Sequence, residues 1–212
     1  MRVLVVGANG HIGRRLIKLM SSGPHQSRAM IRDPDQAEAL REMGAHETVV
    51  ADLEGDCGPA LEGCDAIIFS AGSGGHTGQE KTDAIDRDGA IAMIDAAGKA
   101  GVNRLVMVSS MGADAPASGP ENLQHYLRAK QAADRHLRAS GLDYTIVRPG
   151  SLTDDNGTGR ISAATELERS GKVPRDDVAA VLLQVLDAPN TKGKQFELLA
   201  GDTPLQQAVA AL

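Results

Sequence analysis

An aliphatic run that breaks into three spaced glycines and then into a helical pattern is compatible with few folds. Residues 3–16, VLVVGANGHIGRRL, carry that pattern. Val3–Val6 read as a strand covered on both faces, because no polar residue alternates within the run. Gly7, Gly10 and Gly13 form GxxGxxG. Between a strand and a helix, Gly7 permits the tight turn, Gly10 lets backbone approach a pyrophosphate, and Gly13 lets the helix pack close to the sheet. The first-turn N–H groups and the helix dipole then favour phosphate charge. Among 24 glycines the spacing alone has little weight. Its position, directly after the first strand and opening a helix, favours a nucleotide loop over a plain glycine-rich turn. The binding candidates here are Gly7, Asn9, Gly10, His11, Ile12 and Gly13.

The rest of the chain alternates in the same way. Residues 2–6, 28–31, 47–50, 66–69, 104–108, 144–147 and 196–199 read as strands, and 11–21, 34–43, 82–100, 121–140 and 175–187 as helices. Gly44, Gly101 and Gly141 sit where helices should stop, and Asp33-Pro34 where one should start. This alternation predicts an α/β fold: a single doubly wound Rossmann domain over residues 1–212 with a mostly parallel sheet. The C-terminal strand ends then face one crevice, where ligands bind at the topological switch point. The Gly-, Pro-, Ser- and Asp-rich segments 111–120 and 150–172 are expected beside it as substrate-side loops.

Composition narrows the ligand. A net charge of −6 with no basic block argues against phosphate-driven nucleic-acid binding, and 2% aromatics against base-stacking platforms. No apolar run approaches the roughly 20 residues that span a bilayer, and the N-terminus lacks signal-peptide organisation. Cys57 and Cys64 form no CxxC, and the histidines show no metal-ligand spacing. A cytoplasmic protein with reduced cysteines, no metal and no membrane contact is expected.

A dinucleotide site needs a group for the adenosine ribose at the end of the second strand. There "AMIRDP" offers Arg32 and Asp33. Asp33 already has a helix to cap, which leaves Arg32 for a 2′-phosphate, with Arg14 as a possible helper. NADP is therefore preferred over NAD. Asp52 and Leu53, after the third strand, are candidates for the adenine, although a turn aspartate is an equal reading of Asp52. Ala71 and Gly72, after the fourth strand, are small where a cofactor backbone would pass.

The second half offers chemistry. Ser109 and Ser110 end the fifth strand, and Tyr126 and Lys130 lie four apart on one helix face. Hydride transfer at a carbonyl carbon needs a proton moved at the oxygen. A phenol titrates near 10. A neighbouring ammonium, Lys130, and an oxidised nicotinamide would both lower that value. Lys130 can also hold the nicotinamide ribose, and a serine can fix the substrate oxygen. Ser110 is preferred, with Ser109 as the fallback. The competing reading makes Tyr126 and Lys130 an ordinary helix face.

These stretches, with "CDAIIFSAG", "AIDRDGAIAMIDAAGKAGVNRLVMVSSMGAD", "YLRAKQAADRHLRASGLDYTIVRPGSL" and "VPRDDVAAVLLQVLD", resemble the short-chain dehydrogenase/reductase superfamily over nearly the whole chain. The resemblance is to its atypical NAD(P)-binding, epimerase/dehydratase-like group. It implies a Rossmann domain binding NADP(H) or NAD(H), with Tyr126 and Lys130 as the catalytic pair. It also implies that Val147-Arg148-Pro149-Gly150, and so Pro149, lines the nicotinamide side. Two positions depart from the usual pattern: Ser70 precedes Ala71-Gly72 in place of Asn, and Asp86 stands where a catalytic Asn is usual. A carboxylate cannot donate a hydrogen bond as an amide does. Only about 60 residues follow Gly150, which leaves little surface for a bulky sugar nucleotide. The expected function is an NADP(H)-dependent oxidoreductase acting on a small carbonyl, alcohol or sugar-like compound. The alternative is an NADP(H)-binding redox sensor with little turnover that acts through a protein partner. The exposed-type residues Arg128, Gln131, Arg135 and Arg138 favour a monomer over a homodimer.

Overall fold

Most of the aliphatic runs form strands that are buried on both sides. In the computed structural model, which describes residues 1–74 and 77–212, eleven strands are seen. They are β1 (Arg2–Val6), β2 (Gln26–Ile31), β3 (Glu47–Val50), β4 (Ala66–Phe69), β5 (Arg104–Val108), β6 (Asp143–Pro149), β7 (Ser151–Thr153), β8 (Arg160–Ala164), β9 (Lys172–Pro174), β10 (Lys194–Ala200) and β11 (Thr203–Pro204). Nine form one sheet in the order β3-β2-β1-β4-β5-β6-β10-β8-β11. The pairings from β3 through to β10 are parallel, and β8 and β11 add antiparallel partners at the far edge. This is the doubly wound Rossmann arrangement expected from the alternating elements.

The helices are α1 (His11–Met20), α2 (Ala37–Glu42), α3 (Gln79–Thr82), α4 (Ala90–Ala100), α5 (Gln124–Ala139), α6 (Arg175–Leu186) and α7 (Leu205–Ala210). The period-2 geometry of β1 divides the core. Val3 and Val5 pack with Leu16 and Ile17 of α1 and Val181 and Leu182 of α6. Leu4 and Val6 face the other way, with Met93 and Ile94 of α4 and Ala133 and Leu137 of α5. Gly101 ends α4 at φ 72°, a left-handed cap that glycine adopts without strain. Among the described residues, no helix is long and apolar enough to cross a membrane.

Four segments differ from the sequence reading. The helix expected over 82–100 is α3 and α4 joined by a π-helical stretch, Asp83–Gly89, with Leu53 seated against Gly89. The helices expected at 34–43 and 121–140 each open with a 3-10 turn, Pro34–Gln36 and Glu121–Leu123. Segment 150–172 is not simply a loop. It contributes β7 and β8 and leads into β9, and Ile161 of β8 is fully buried beneath the sheet edge. Its apolar residues are too few to read as strands; ladder bonds to β10 and β11 hold β8 in place. Segment 111–120 stays irregular apart from a short turn at Pro116–Ser118.

Candidate functional site

Each glycine of the loop between β1 and α1 has a separate steric task. Gly7 adopts φ +83°, and a Cβ there would lie 2.7 Å from the backbone of Ala71. A Cβ on Gly13 would lie 2.1 Å from Gly7 O and 2.7 Å from Ala8 Cα, so the helix closes directly onto the loop. Gly10 differs. Its φ of −77° suits any residue, and among the described residues a Cβ would meet only Gly7 O, at 3.2 Å. The first bond of α1 runs from Arg14 N to Gly10 O at 2.9 Å. The N–H groups of His11, Ile12 and Gly13 therefore precede the helical ladder. No side chain caps this end, and no acidic residue occupies its first turn. A bare, positively polarised helix end behind a cradle that a side chain would fill suits a pyrophosphate.

The flanking candidates divide by their contacts. Asn9 Oδ1 accepts from Arg14 Nε at 3.0 Å and Nη2 at 2.7 Å, so the Arg14 fork is already engaged. Arg32, just past β2, is exposed and has no hydrogen bond among the described residues. Asp33 accepts from Asp35 N at 2.9 Å and is the cap its position suggested. Asp52 closes a turn by accepting from Glu54 N at 3.1 Å, and Leu53 packs in the core with Ile85 and Met93. Ser70 Oγ donates to Val6 O at 3.0 Å and ties the ends of β4 and β1 together. Pro149 is buried at the end of β6, and its carbonyl accepts from Met111 N at 3.1 Å.

A chain of contacts links this loop to the second cluster. Ala71 closes on Gly7, and Gly72 lies against Asp86, whose Oδ1 would be 3.1 Å from a Cβ there. Asp86 Oδ1 is 3.0 Å from Lys130 Nζ. This is close enough for a strong ion pair but off-axis for a hydrogen bond. Lys130 Nζ also donates to Val108 O at 3.4 Å and sits 5.6 Å from the centre of the Tyr126 ring. Tyr126, Lys130 and Ser110 thus come together at the end of β5. Ser109 points away: it is buried, and its Oγ donates to Asp134 Oδ2 at 2.9 Å.

Two acidic residues join the cluster, and only one was singled out from the sequence. Asp86 and Asp134 are both fully buried, and Lys130 is 4% exposed. Asp134 Oδ2 also accepts from Arg148 Nη2 at 2.7 Å, and Arg148 pairs with Asp114 of segment 111–120. Asp134 follows Lys130 by four residues, as Lys130 follows Tyr126. That spacing places all three on one face of α5 and was the signal available for Asp134.

Burial pushes the Tyr126 phenol above its ordinary value. Lys130 pulls it down, Asp86 and Asp134 push it up, and a hydrogen bond with Ser110 pulls it down again; the net shift is upward. The expected lowering by the ammonium is therefore outweighed by burial and by the two carboxylates, Asp86 and Asp134. Lys130 loses basicity to burial but regains more from Tyr126, Asp86 and Asp134, so it stays an ammonium. Burial raises the Asp134 carboxyl, against the opposing pull of Arg148, Ser109 and Lys130.

The profile of the NAD(P)H-binding family matches residues 7–189. A protein of Bacillus subtilis (strain 168) called an uncharacterized sugar epimerase, YhfK, is 48% identical, with 100% of each chain covered. A Bacillus halodurans structure with the provisional name NAD-dependent epimerase/dehydratase is 46% identical, with a TM-score of 0.98 and 100% of each chain covered. The structure of ChuY, an anaerobilin reductase from Escherichia coli O157:H7, is 28% identical, with a TM-score of 0.80, covering 95% of this chain and 98% of that one. On these matches, and on the glycine loop that opens its sheet, the chain belongs to the NAD(P)H-binding family.

Proposed function

We propose that this protein is an NADPH-dependent reductase of a small carbonyl compound, with Tyr126 as proton donor, Lys130 as its charged partner and Ser110 as the clamp on the substrate oxygen. One observation carries this reading: Ser110, Tyr126 and Lys130 meet at the end of β5, joined to the glycine loop through Ala71, Gly72 and Asp86. Gly10 and the free N–H groups of His11, Ile12 and Gly13 hold the pyrophosphate, Arg32 the 2′-phosphate and Lys130 the nicotinamide ribose. When bound, NADPH supplies a hydride for the carbonyl carbon. Ser110 Oγ donates to the carbonyl oxygen and fixes it beside the phenol. Tyr126 Oη gives that oxygen its proton as the C=O bond becomes C–O, which yields the alcohol, and the phenolate is reprotonated from water. The relative named as a reductase supports a reducing direction. The drawing of segment 150–172 into strands, which narrows the irregular chain beside the crevice, supports a small substrate.

The test is NADPH consumption against a panel of aldehydes, quinones and flavins. Tyr126→Phe keeps the ring and removes the proton. On the best substrate its turnover should fall by about 10²–10⁴-fold, with NADPH affinity nearly unchanged. Wild-type turnover in Tyr126→Phe, or no consumption by the wild type, would overturn the reading.

A further inference from the structure

Asp86 is held firmly inside the fold. Its Oδ2 accepts from Ser73 N at 2.9 Å, its Oδ1 faces Lys130 Nζ at 3.0 Å, and the whole residue is shut from solvent. The π-helical turn carries it inward, beneath Gly72. An amide at this place would leave the lysine charge free to act on the phenol; a carboxylate cancels it. Among the described residues, the charged groups around Tyr126 are Lys130 and Asp134 from its own helix and Asp86 from the π turn. Asp134 is further engaged by Arg148, and the neighbouring His125 pairs outward with Asp83, which also binds Arg87. Lys130 is paired with Asp86 and Asp134 with Arg148, so neither described cation is left unpaired beside the half-buried phenol, which disfavours phenolate.

We propose that Asp86 is a positioning residue: by holding the Lys130 ammonium in a buried ion pair, it keeps Tyr126 in its protonated, proton-donating form, so that near neutral pH the site is set to reduce a carbonyl rather than to oxidise an alcohol. This rests on the reading of Tyr126 as the proton donor. Alcohol oxidation would need the phenolate as base, and Asp86 withholds that species until alkaline pH.

The test is a tyrosinate absorbance titration. The chain has two tyrosines, so subtracting the matching Tyr126→Phe protein isolates Tyr126. Asp86→Asn and Asp86→Ser should move the phenol midpoint to lower pH, while Asp86→Glu should hold it near the wild type. The alkaline limb of kcat/KM for NADPH-dependent reduction should move in the same direction. An unmoved midpoint in a folded Asn or Ser variant overturns the proposal even if the wild type reduces carbonyls. A shifted midpoint without any NADPH consumption retains the coupling and overturns the reductase reading instead. If both charge-removing variants unfold while Asp86→Glu folds, Asp86 serves the fold, and the proposal falls.

Discussion

Replacing Gly10 by Ala should separate nucleotide binding from folding. The backbone at Gly10, φ −77° and ψ 171°, is open to any L-residue, so no strain enters. Among the described residues the new methyl would touch Gly7 O at 3.2 Å and nothing else within 4 Å. The folding cost is the loss of a tolerated N-cap residue, about 1 kcal/mol. For a chain of this size that is a Tm decrease of about 2–4 °C. The same methyl fills the cradle in front of the helix end. A pyrophosphate held away from it loses at least one charge-assisted hydrogen bond, about 1.5–3 kcal/mol. The dissociation constant for NADPH should therefore rise roughly ten- to a hundredfold. Gly13→Ala is the contrasting case. Its methyl would lie 2.1 Å from Gly7 O, backbone against backbone, and no rotamer can relieve that. The cost should reach or exceed the usual overpacking range of about 1–3 kcal/mol, even after a helix-propensity gain of about 1 kcal/mol. Calorimetric titration with NADPH and thermal unfolding measure the two effects. Wild-type NADPH affinity in Gly10→Ala would refute the cradle, and wild-type stability in Gly13→Ala would refute the close packing.

Arg32→Ala should weaken NADP(H) binding by roughly ten- to a hundredfold and leave NAD(H) nearly untouched, because only the former offers a phosphate to the exposed guanidinium; equal losses in paired titrations would remove Arg32 from the site. Lys130→Met strips the cation from between two fully buried carboxylates, so it should cost about 3–5 kcal/mol in urea unfolding, part of which Asp86→Asn should restore in the double variant. Asp176 is held below the usual carboxylate range by its bond from Arg15, against a small desolvation push, with Gly157 N–H adding to the lowering. Its contribution is complete above the free-carboxylate value and is lost as pH falls through the depressed folded value. Hydrogen exchange at Gly157, whose N–H bonds to Asp176 at 3.2 Å, should lose protection in that acid window. Asp176→Asn should abolish the transition, and a protection factor at Gly157 that does not change across that window in the wild type would disprove the linkage.

Much of the fold was legible because its signals are local. The runs that became β1 and β3 to β5 are bounded as read, and the glycine loop stands where its spacing put it. β8 and β11 were not legible, since these short segments lack a run of large apolar residues and acquire strand geometry by pairing with β10 and with each other. The π turn over Asp83–Gly89 is likewise a product of packing, with Leu53 pressed on Gly89.

The site divides along the same line. Residue type and helical spacing alone placed Tyr126 and Lys130 on one face of α5, and strand-end position alone put Ser109 and Ser110 opposite them. Which serine remains near the phenol was decided by Asp134, which takes Ser109. The Lys130 charge beside the phenol is met by Asp86, brought in from 44 positions before Lys130 along the chain by the π turn. Local pattern follows from covalent geometry, so a sequence carries it directly. Electrostatics depends on distance and burial among residues remote in the chain, and only the folded packing sets those.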